Sequence, residues 1–408
     1  MYPLVIGITS NPYSMSSILQ LPKTSCCGCS ACSLSCPMQL IRMTPDAEGF
    51  LYPEIQYPER CIHCDKCEKV CPIINVDTIQ IPTHNQQVYA GFVRETTYLQ
   101  KSASGGIASA ISQKIINEGG VVYGVAYIDD FTKAEYRKAE TLAELEAFRS
   151  SKYIQAEKGT IFSDVKDTLE AGKDVLFIGL PCEVAGLKSY LRKKYENLTT
   201  AELICHGPTS PKVAEEFIHT LERKYQSRVI GFNVRYKKDG KWTPPYLRAE
   251  FENGKVFLEP FYATDYGRAF GIFSRPSCYE CTYKGDKRVA DITLGDYWGC
   301  TPEDIFYNQS GVSVIFVHTE KRAALIEGVR DLELTETELE HASKANPMLQ
   351  TSKTKNPRRD VFTEALVENG LSAACRKSQM AKQRVVGFAV KWCPKWVKKV
   401  VREVLWGR

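Results

Sequence analysis

The sequence predicts an α+β protein in two main parts: a small cysteine-rich N-terminal unit, then an α/β core built on a mixed sheet. Three observations predict it. A cysteine run that ends in proline occurs twice, closing at Pro37 and again at Pro72. From Val88 onward, helical periods alternate with short apolar runs rich in β-branched residues, the pattern of βα units. Finally, "VIGFNVRYKKDG" precedes "LRAEFENGKVFLEP", where Asn253-Gly254 is a hairpin signal, so antiparallel strands join the parallel ones. A chain of 408 residues, 43% of them apolar, can bury cores without covalent cross-links.

The first run is "SCCGCSACSLSCP". Cys26, Cys29, Cys32 and Cys36-Pro37 follow C-x2-C-x2-C-x3-C-P, and Cys61, Cys64, Cys67 and Cys71-Pro72 in "RCIHCDKCEKVCP" repeat the spacing. This is the bacterial ferredoxin run, in which the fourth cysteine serves the other cluster. One [4Fe–4S] cluster then takes Cys26, Cys29, Cys32 and Cys71, and a second takes Cys61, Cys64, Cys67 and Cys36. Zinc also binds C-x2-C pairs, but a tetrahedral ion calls for two paired knuckles rather than a doubled triplet plus Cys-Pro. Disulfides are disfavoured because the chain opens without a secretory signal pattern and reads as cytoplasmic, a compartment that keeps thiols reduced. Cys27 falls outside the spacing and reads as a bystander. These residues define a bacterial-ferredoxin-like 2[4Fe–4S] domain over 24–80, preceded by an arm at 1–23 and followed by a polar linker at 75–87.

The core is expected over 88–330. Ile107, Ile111 and Ile115 mark one helical face, and Gly119-Gly120 ends that helix. "VVYGVAYI" (121–128) is a buried strand, followed by a helix at about 160–171 and a strand at 174–180. A helix through Leu187 and Leu191, a strand at 200–205 and a helix opened by Ser210-Pro211 come next. "ADITLGDYWG" and "VSVIFVHT" supply further strands. Residues 331–408 read as a helical C-terminal region.

Ligands of open α/β sheets sit where strands end at their carboxyl edges. Cys182 follows one such strand in "GLPCEVAGL", and Cys205 ends another in "LICHGPTS". Cys278 and Cys281 form a C-x2-C pair in "SCYECTY". Taken singly, each reads as a structural thiol. Together, beside two cluster runs, they point to a third [4Fe–4S] cluster. Cys300, Cys375 and Cys393 have no partner spacing and read as structural. "KSASGG" places hydroxyls and glycines before a helix N-terminus, where bare N–H groups and a positive dipole end suit a phosphate, although capping by Ser102 or Ser104 is the commoner use. "SSKYIQ" adds Lys152 and Tyr153, a cation and a ring that suit a planar anion or a solvated loop. Asp296, Tyr297 and Trp298 in "LGDYWG" fit a site or ordinary packing equally.

The succession "SASGG", "SSKYIQ", "GLPCEVAGL", "LICHGPTSP", "CYECTY" and "DITLGDYWG", behind the doubled cysteine run, resembles the coenzyme F420 hydrogenase/dehydrogenase beta-subunit family over roughly residues 24–320. The resemblance implies a ferredoxin-like domain fused to a flavin-binding core with its own iron–sulfur cluster. It implies that Ser102, Ser104, Gly105, Gly106, Ser151, Lys152 and Tyr153 border FAD, and that Cys182, Cys205, Cys278 and Cys281 hold the core cluster. His206 tunes that cluster or caps a turn. Glu183 departs from the glutamine common in the family, and a histidine often found after the strand at 121–128 has no counterpart. Both departures bear on the deazaflavin as substrate rather than on the fold.

A flavin accounts for the architecture, because hydride carries two electrons together while clusters pass one at a time. The expected activity is an oxidoreductase linking a hydride carrier, coenzyme F420 or similar, to a redox partner protein. Two alternatives stand beside it: a ferredoxin-fed flavoenzyme reducing an organic substrate, as in polysaccharide biosynthesis, and a non-catalytic electron-transfer adaptor. A net charge of +5 without a concentrated basic face gives no nucleic-acid signal. No run of ~18 apolar residues suggests a membrane span. The tail "PKWVKKVVREVLWGR" (394–408) is a basic amphipathic helix suited either to peripheral contact with an anionic membrane or to docking on protein.

Overall fold

The structure, a computed structural model, describes residue 18 and residues 21–79 and 87–378. The basic tail at 394–408, nearly all of the N-terminal arm and most of the linker lie outside the described residues. Among the described residues no helix is long and apolar enough to cross a membrane.

The two cysteine runs fold alike. Each places a left-handed residue between its second and third cysteines, Ser30 at φ 69° and Asp65 at φ 56°, and each then enters a short helix, Ala31–Ser35 or Lys66–Lys69. A left-handed residue turns the chain sharply at that point. Between the runs, β1 (Ile41–Pro45) and β2 (Leu51–Ile55) pair antiparallel with Ile41 opposite Ile55. Sequence pattern misses this hairpin because each strand carries a proline, which argues against sheet.

Nine strands form the main sheet: β3 (Gln87–Val93), β4 (Val121–Tyr127), β5 (Ala134–Ala139), β6 (Ala156–Glu157), β7 (Val175–Gly179), β8 (Leu198–Leu203), and later β12 (Ile292–Asp296), β13 (Ser313–Val317) and β14 (Leu332–Glu336). Between them come β9 (Val229–Tyr236), β10 (Tyr246–Phe251) and β11 (Val256–Pro260). The order is β14-β3-β13-β12-β8-β7-β4-β5-β6, and β12, β8, β7 and β4 run parallel. The sheet is therefore mixed, as expected. The Asn253-Gly254 hairpin also forms, with Gly254 at φ 80°, but β9, β10 and β11 make a separate three-stranded sheet. β14 lies past residue 330 and pairs with β3, so the sheet draws its edge from the region expected to be helical.

Both faces of the parallel strands are covered, which is why they read as continuous apolar runs. Val121, Tyr123, Val175 and Phe177 pack against Phe162 and Val165 of the helix Ile161–Glu170 and Val184 and Leu187 of the helix Pro181–Leu191. The alternate residues Val122 and Leu176 face Ile107, Ile111 and Ile115 of the helix Ile107–Asn117. Each such fully buried side chain contributes roughly 1.5–3 kcal/mol. This two-sided core fixes the strands whose carboxyl ends carry the site.

Candidate functional site

The carboxyl ends of β7, β8 and β12 lie side by side in the sheet. Cys182 stands in the first turn of the helix that follows β7, with Pro181 at its start. β8 begins at Leu198 and ends at Leu203, so Cys205 sits two residues past the strand rather than closing it. Cys182, Cys205, Cys278 and Cys281 line one cavity, and Cys27 joins them. Burial pushes the thiols of Cys205 and Cys281 above their ordinary range, and that of Cys278 well above it.

The cavity wall suits an anionic cluster. The Gly207 N–H donates to Cys205 Sγ at 3.2 Å, the contact a cluster thiolate accepts. Lys284, Lys353 and Arg275 line the same cavity. Lys284 Nζ donates to Cys205 O at 2.8 Å, and Lys353 Nζ to Phe270 O and Ser274 Oγ, each at 2.8 Å. Burial pushes Lys353 down to about 8. His206 lies here too, lowered to about 4 by burial and then by Lys284, Lys353 and Arg235. Glu183 is held away from any ligand role: it accepts from Lys158 Nζ at 2.5 Å, Tyr136 Oη at 2.7 Å and the Leu180 N–H at 3.0 Å. Among the described residues no three His, Cys, Asp or Glu side chains converge on a single-ion site.

A second cavity is lined by Cys26, Cys29, Cys32 and Cys71, again with Cys27. The fourth cysteine of the second run thus stands with the first three of the first. Cys36 and Cys67 pack against the small cluster of Ile18, Cys32, Ile41 and Cys71. Cys61 and Cys64 are half-buried.

The segment "SASGG" meets the same sheet edge one strand further along. Ser313 is the register partner of both Asp296 and Gly91, and the Gly105 N–H donates to Ser313 Oγ at 3.0 Å. Gly105 is required by close approach, since a Cβ there would stand 2.3 Å from Gly91 O and 2.7 Å from Ser313 N. Ser104 Oγ donates to Val312 O at 2.7 Å and Ser102 Oγ to Tyr98 O at 3.0 Å. Neither hydroxyl caps the helix Ile107–Asn117, whose N-cap is Gly106 in the left-handed region. Lys152 also turns inward, donating to Ala147 O, Arg149 O and Ser150 O, and burial pushes it down to about 7. These groups shape the edge more than they present donors to it.

What faces the edge is a group that sequence pattern left out. Arg235 donates to Asp296 Oδ1 and to Ala103 O, both at 3.0 Å, with its guanidinium 5.3 Å from the Trp298 ring. Trp298 stacks on Trp242 at 4.9 Å and 9°. Tyr153 stacks on Phe270 at 4.3 Å. Trp298, Asp296, Ser151 and Tyr153 are all partly exposed. A half-exposed indole, a phenol and a buried cation are groups of the kind a flavin's ring and phosphates call for, so the residues present fit that cofactor. In "VIGFNVRY", Arg235 looks like any strand residue. By contrast, Tyr297 is core, bonded to Thr337 Oγ1 and His341 Nδ1.

Parts of the chain are similar to known proteins. Residues 172–342 match the family model for the C terminus of the coenzyme F420 hydrogenase/dehydrogenase beta subunit, and residues 25–74 match that of the 4Fe-4S dicluster domain. The matched core is thus similar to that beta subunit's C-terminal domain, and an iron–sulfur domain lies ahead of it. No curated protein matches the chain. Among solved structures, a chain of the xenon-derivatised F420-reducing [NiFe] hydrogenase complex from Methanosarcina barkeri is similar at 16% identity, over 73% of this chain and 91% of that one, with a TM-score of 0.43.

Proposed function

We propose that the chain acts as a coenzyme F420 hydrogenase/dehydrogenase beta-subunit-like protein and exchanges electrons between a hydride carrier, coenzyme F420 or a similar molecule, and a redox partner protein through FAD and three [4Fe–4S] clusters. Bound flavin supplies the chemistry that splits a hydride's electron pair for one-electron carriers. The observation that carries the reading is adjacency. Asp296 ends β12 and Cys205 follows β8, and these two strands pair directly, with Leu294 opposite Leu203.

The chain's own residues do the rest. Trp298, Tyr153 and Ser151 bind and orient the flavin, while Asp296 fixes the Arg235 guanidinium beside them. Cys182, Cys205, Cys278 and Cys281 hold the core cluster, and Lys284 and Lys353 offset its negative charge in a buried wall. Cys26, Cys29, Cys32 and Cys71, then Cys61, Cys64, Cys67 and Cys36, hold the two outer clusters. Cofactor analysis of anaerobically purified protein tests the reading. About twelve irons with matching sulfide and one FAD are expected. Zinc in their place, or eight irons, would overturn it.

A further inference from the structure

Two cavities meet at one side chain. Cys27 lines the cavity of Cys182, Cys205, Cys278 and Cys281, and it also lines the cavity of Cys26, Cys29, Cys32 and Cys71. It shares the first cavity with Cys182 and the second with Cys29. The backbone is fitted to this approach. The helix that begins at Pro181-Cys182 turns Gly186 toward the N-terminal loop, where an added Cβ would stand 2.8 Å from Cys29 Cβ and 3.1 Å from its Sγ. Arg275 clamps the same loop, donating from Nε to Cys26 O at 2.7 Å and from its second terminal nitrogen to Leu51 O at 2.9 Å. The ferredoxin spacing itself asks for no cysteine at position 27.

Resting on the function proposed above, we propose that Cys27 is a positioning residue that joins the core cluster site to the first N-terminal cluster site. It sets the short contact across which those two sites exchange electrons. The cluster of Cys26, Cys29, Cys32 and Cys71 is then the core's direct neighbour. The cluster of Cys61, Cys64, Cys67 and Cys36 is the outer station, in keeping with its half-buried thiols and with Ile62 and Tyr57 nearby, 58% and 54% exposed. Each transfer takes one electron from one cluster and gives it to the other, with no bond made or broken. Tunnelling falls steeply with distance, so the width of this contact governs the rate.

The test uses the full-length, cluster-loaded protein and the variants Cys27→Ser, Cys27→Val and Gly186→Ala. Iron content, rapid-freeze EPR of electron redistribution between clusters, and spin–spin interaction in the fully reduced state are read together. Cys27→Val is expected to keep its iron, to slow redistribution at least ten-fold and to weaken the interaction between core and first N-terminal cluster. Cys27→Ser, which keeps a hydrogen-bonding group, is expected to fall between. Gly186→Ala widens the contact without touching Cys27 and is expected to slow transfer in the same way. Loss of about four irons in Cys27→Val would make Cys27 a ligand and overturn the positioning role. Unchanged rate and interaction in both Cys27→Val and Gly186→Ala would overturn the junction. A wild type that holds no core cluster would instead overturn the underlying reading, a failure visible from iron content before any variant is made.

Discussion

The Arg275 guanidinium donates to the carbonyl of Cys26 at 2.7 Å, so a residue three positions ahead of Cys278 holds the loop that opens the first N-terminal cysteine run. Arg275 is 2% exposed and also reaches Leu51 O and Gln155 Oε1, while its guanidinium lies 4.0 Å from the Tyr52 ring. It ties the N-terminal unit to the core. Arg275→Met leaves three oxygen acceptors and Cys26 Sγ short of a donor and is expected to cost about 3 kcal/mol. The readouts are a lower Tm and faster proteolysis within residues 25–74. Arg275→Lys lacks the planar fork and should recover little of the loss. Wild-type stability in Arg275→Met would mean that the two parts dock by other contacts.

The core cysteines act as a set. Cys182→Ser and Cys278→Ser should each lower iron by about four per chain while the N-terminal clusters stay. Iron and acid-labile sulfide assays check this. Cys375→Ser, at a buried thiol that donates to Asp265 O and lines neither cavity, should leave iron unchanged.

Two substitutions separate flavin binding from folding. Trp298→Ala removes a partly exposed ring and is expected to weaken FAD retention about ten-fold, or roughly 1.4 kcal/mol, with little change in Tm. Gly105→Val drives atoms into Gly91 O and Ser313 N, so it should lower Tm as overpacking does, by about 1–3 kcal/mol or more. Flavin release on denaturation and differential scanning calorimetry tell the two effects apart.

Lys237 predicts a pH dependence. It is buried, with Nζ donating to Leu99 O at 2.6 Å and Ser104 O at 2.8 Å, and burial pushes it down to about 7. An unfolded lysine titrates near 10.4, so between about pH 7 and 10 the unfolded chain binds the extra proton. Stability therefore rises with pH across that window, by at most about 1.4 kcal/mol per unit from this group. Measured from pH 7 to 9, the wild type should gain on Lys237→Met as pH rises. A constant difference between them would remove the effect.

Much of this was legible in the sequence for physical reasons. The doubled cysteine spacing is chemistry written directly as distance along the chain, and strands buried on both faces, such as Val175–Gly179, announce themselves as apolar runs. Cys182 and Cys205 could be read as neighbours because parallel strands deliver their carboxyl ends to one edge. Arg235 was hidden because it comes from the separate three-stranded sheet and reaches Asp296 only through tertiary packing. The inward turn of Lys152 is equally hidden: a lysine in a loop gives no sign that the carbonyls of Ala147, Arg149 and Ser150 will hold it. Cys27 lines both cavities, a placement its spacing along the chain does not announce, because Cys182 and Cys29 lie far apart in sequence.

The central claim is that hydride enters at the edge of β12 and leaves as single electrons. Anaerobic mixing of the flavin-loaded protein with reduced coenzyme F420, with NADH, NADPH and reduced ferredoxin in parallel, tests it most directly. Flavin absorbance and cluster EPR are followed together. The account predicts that a hydride donor bleaches the flavin and that reduced-cluster signals then grow. Bleaching by reduced ferredoxin alone would contradict it and favour a flavoenzyme reducing an organic substrate. A protein that keeps its iron but never binds flavin would contradict it altogether, leaving a cluster-bearing electron carrier.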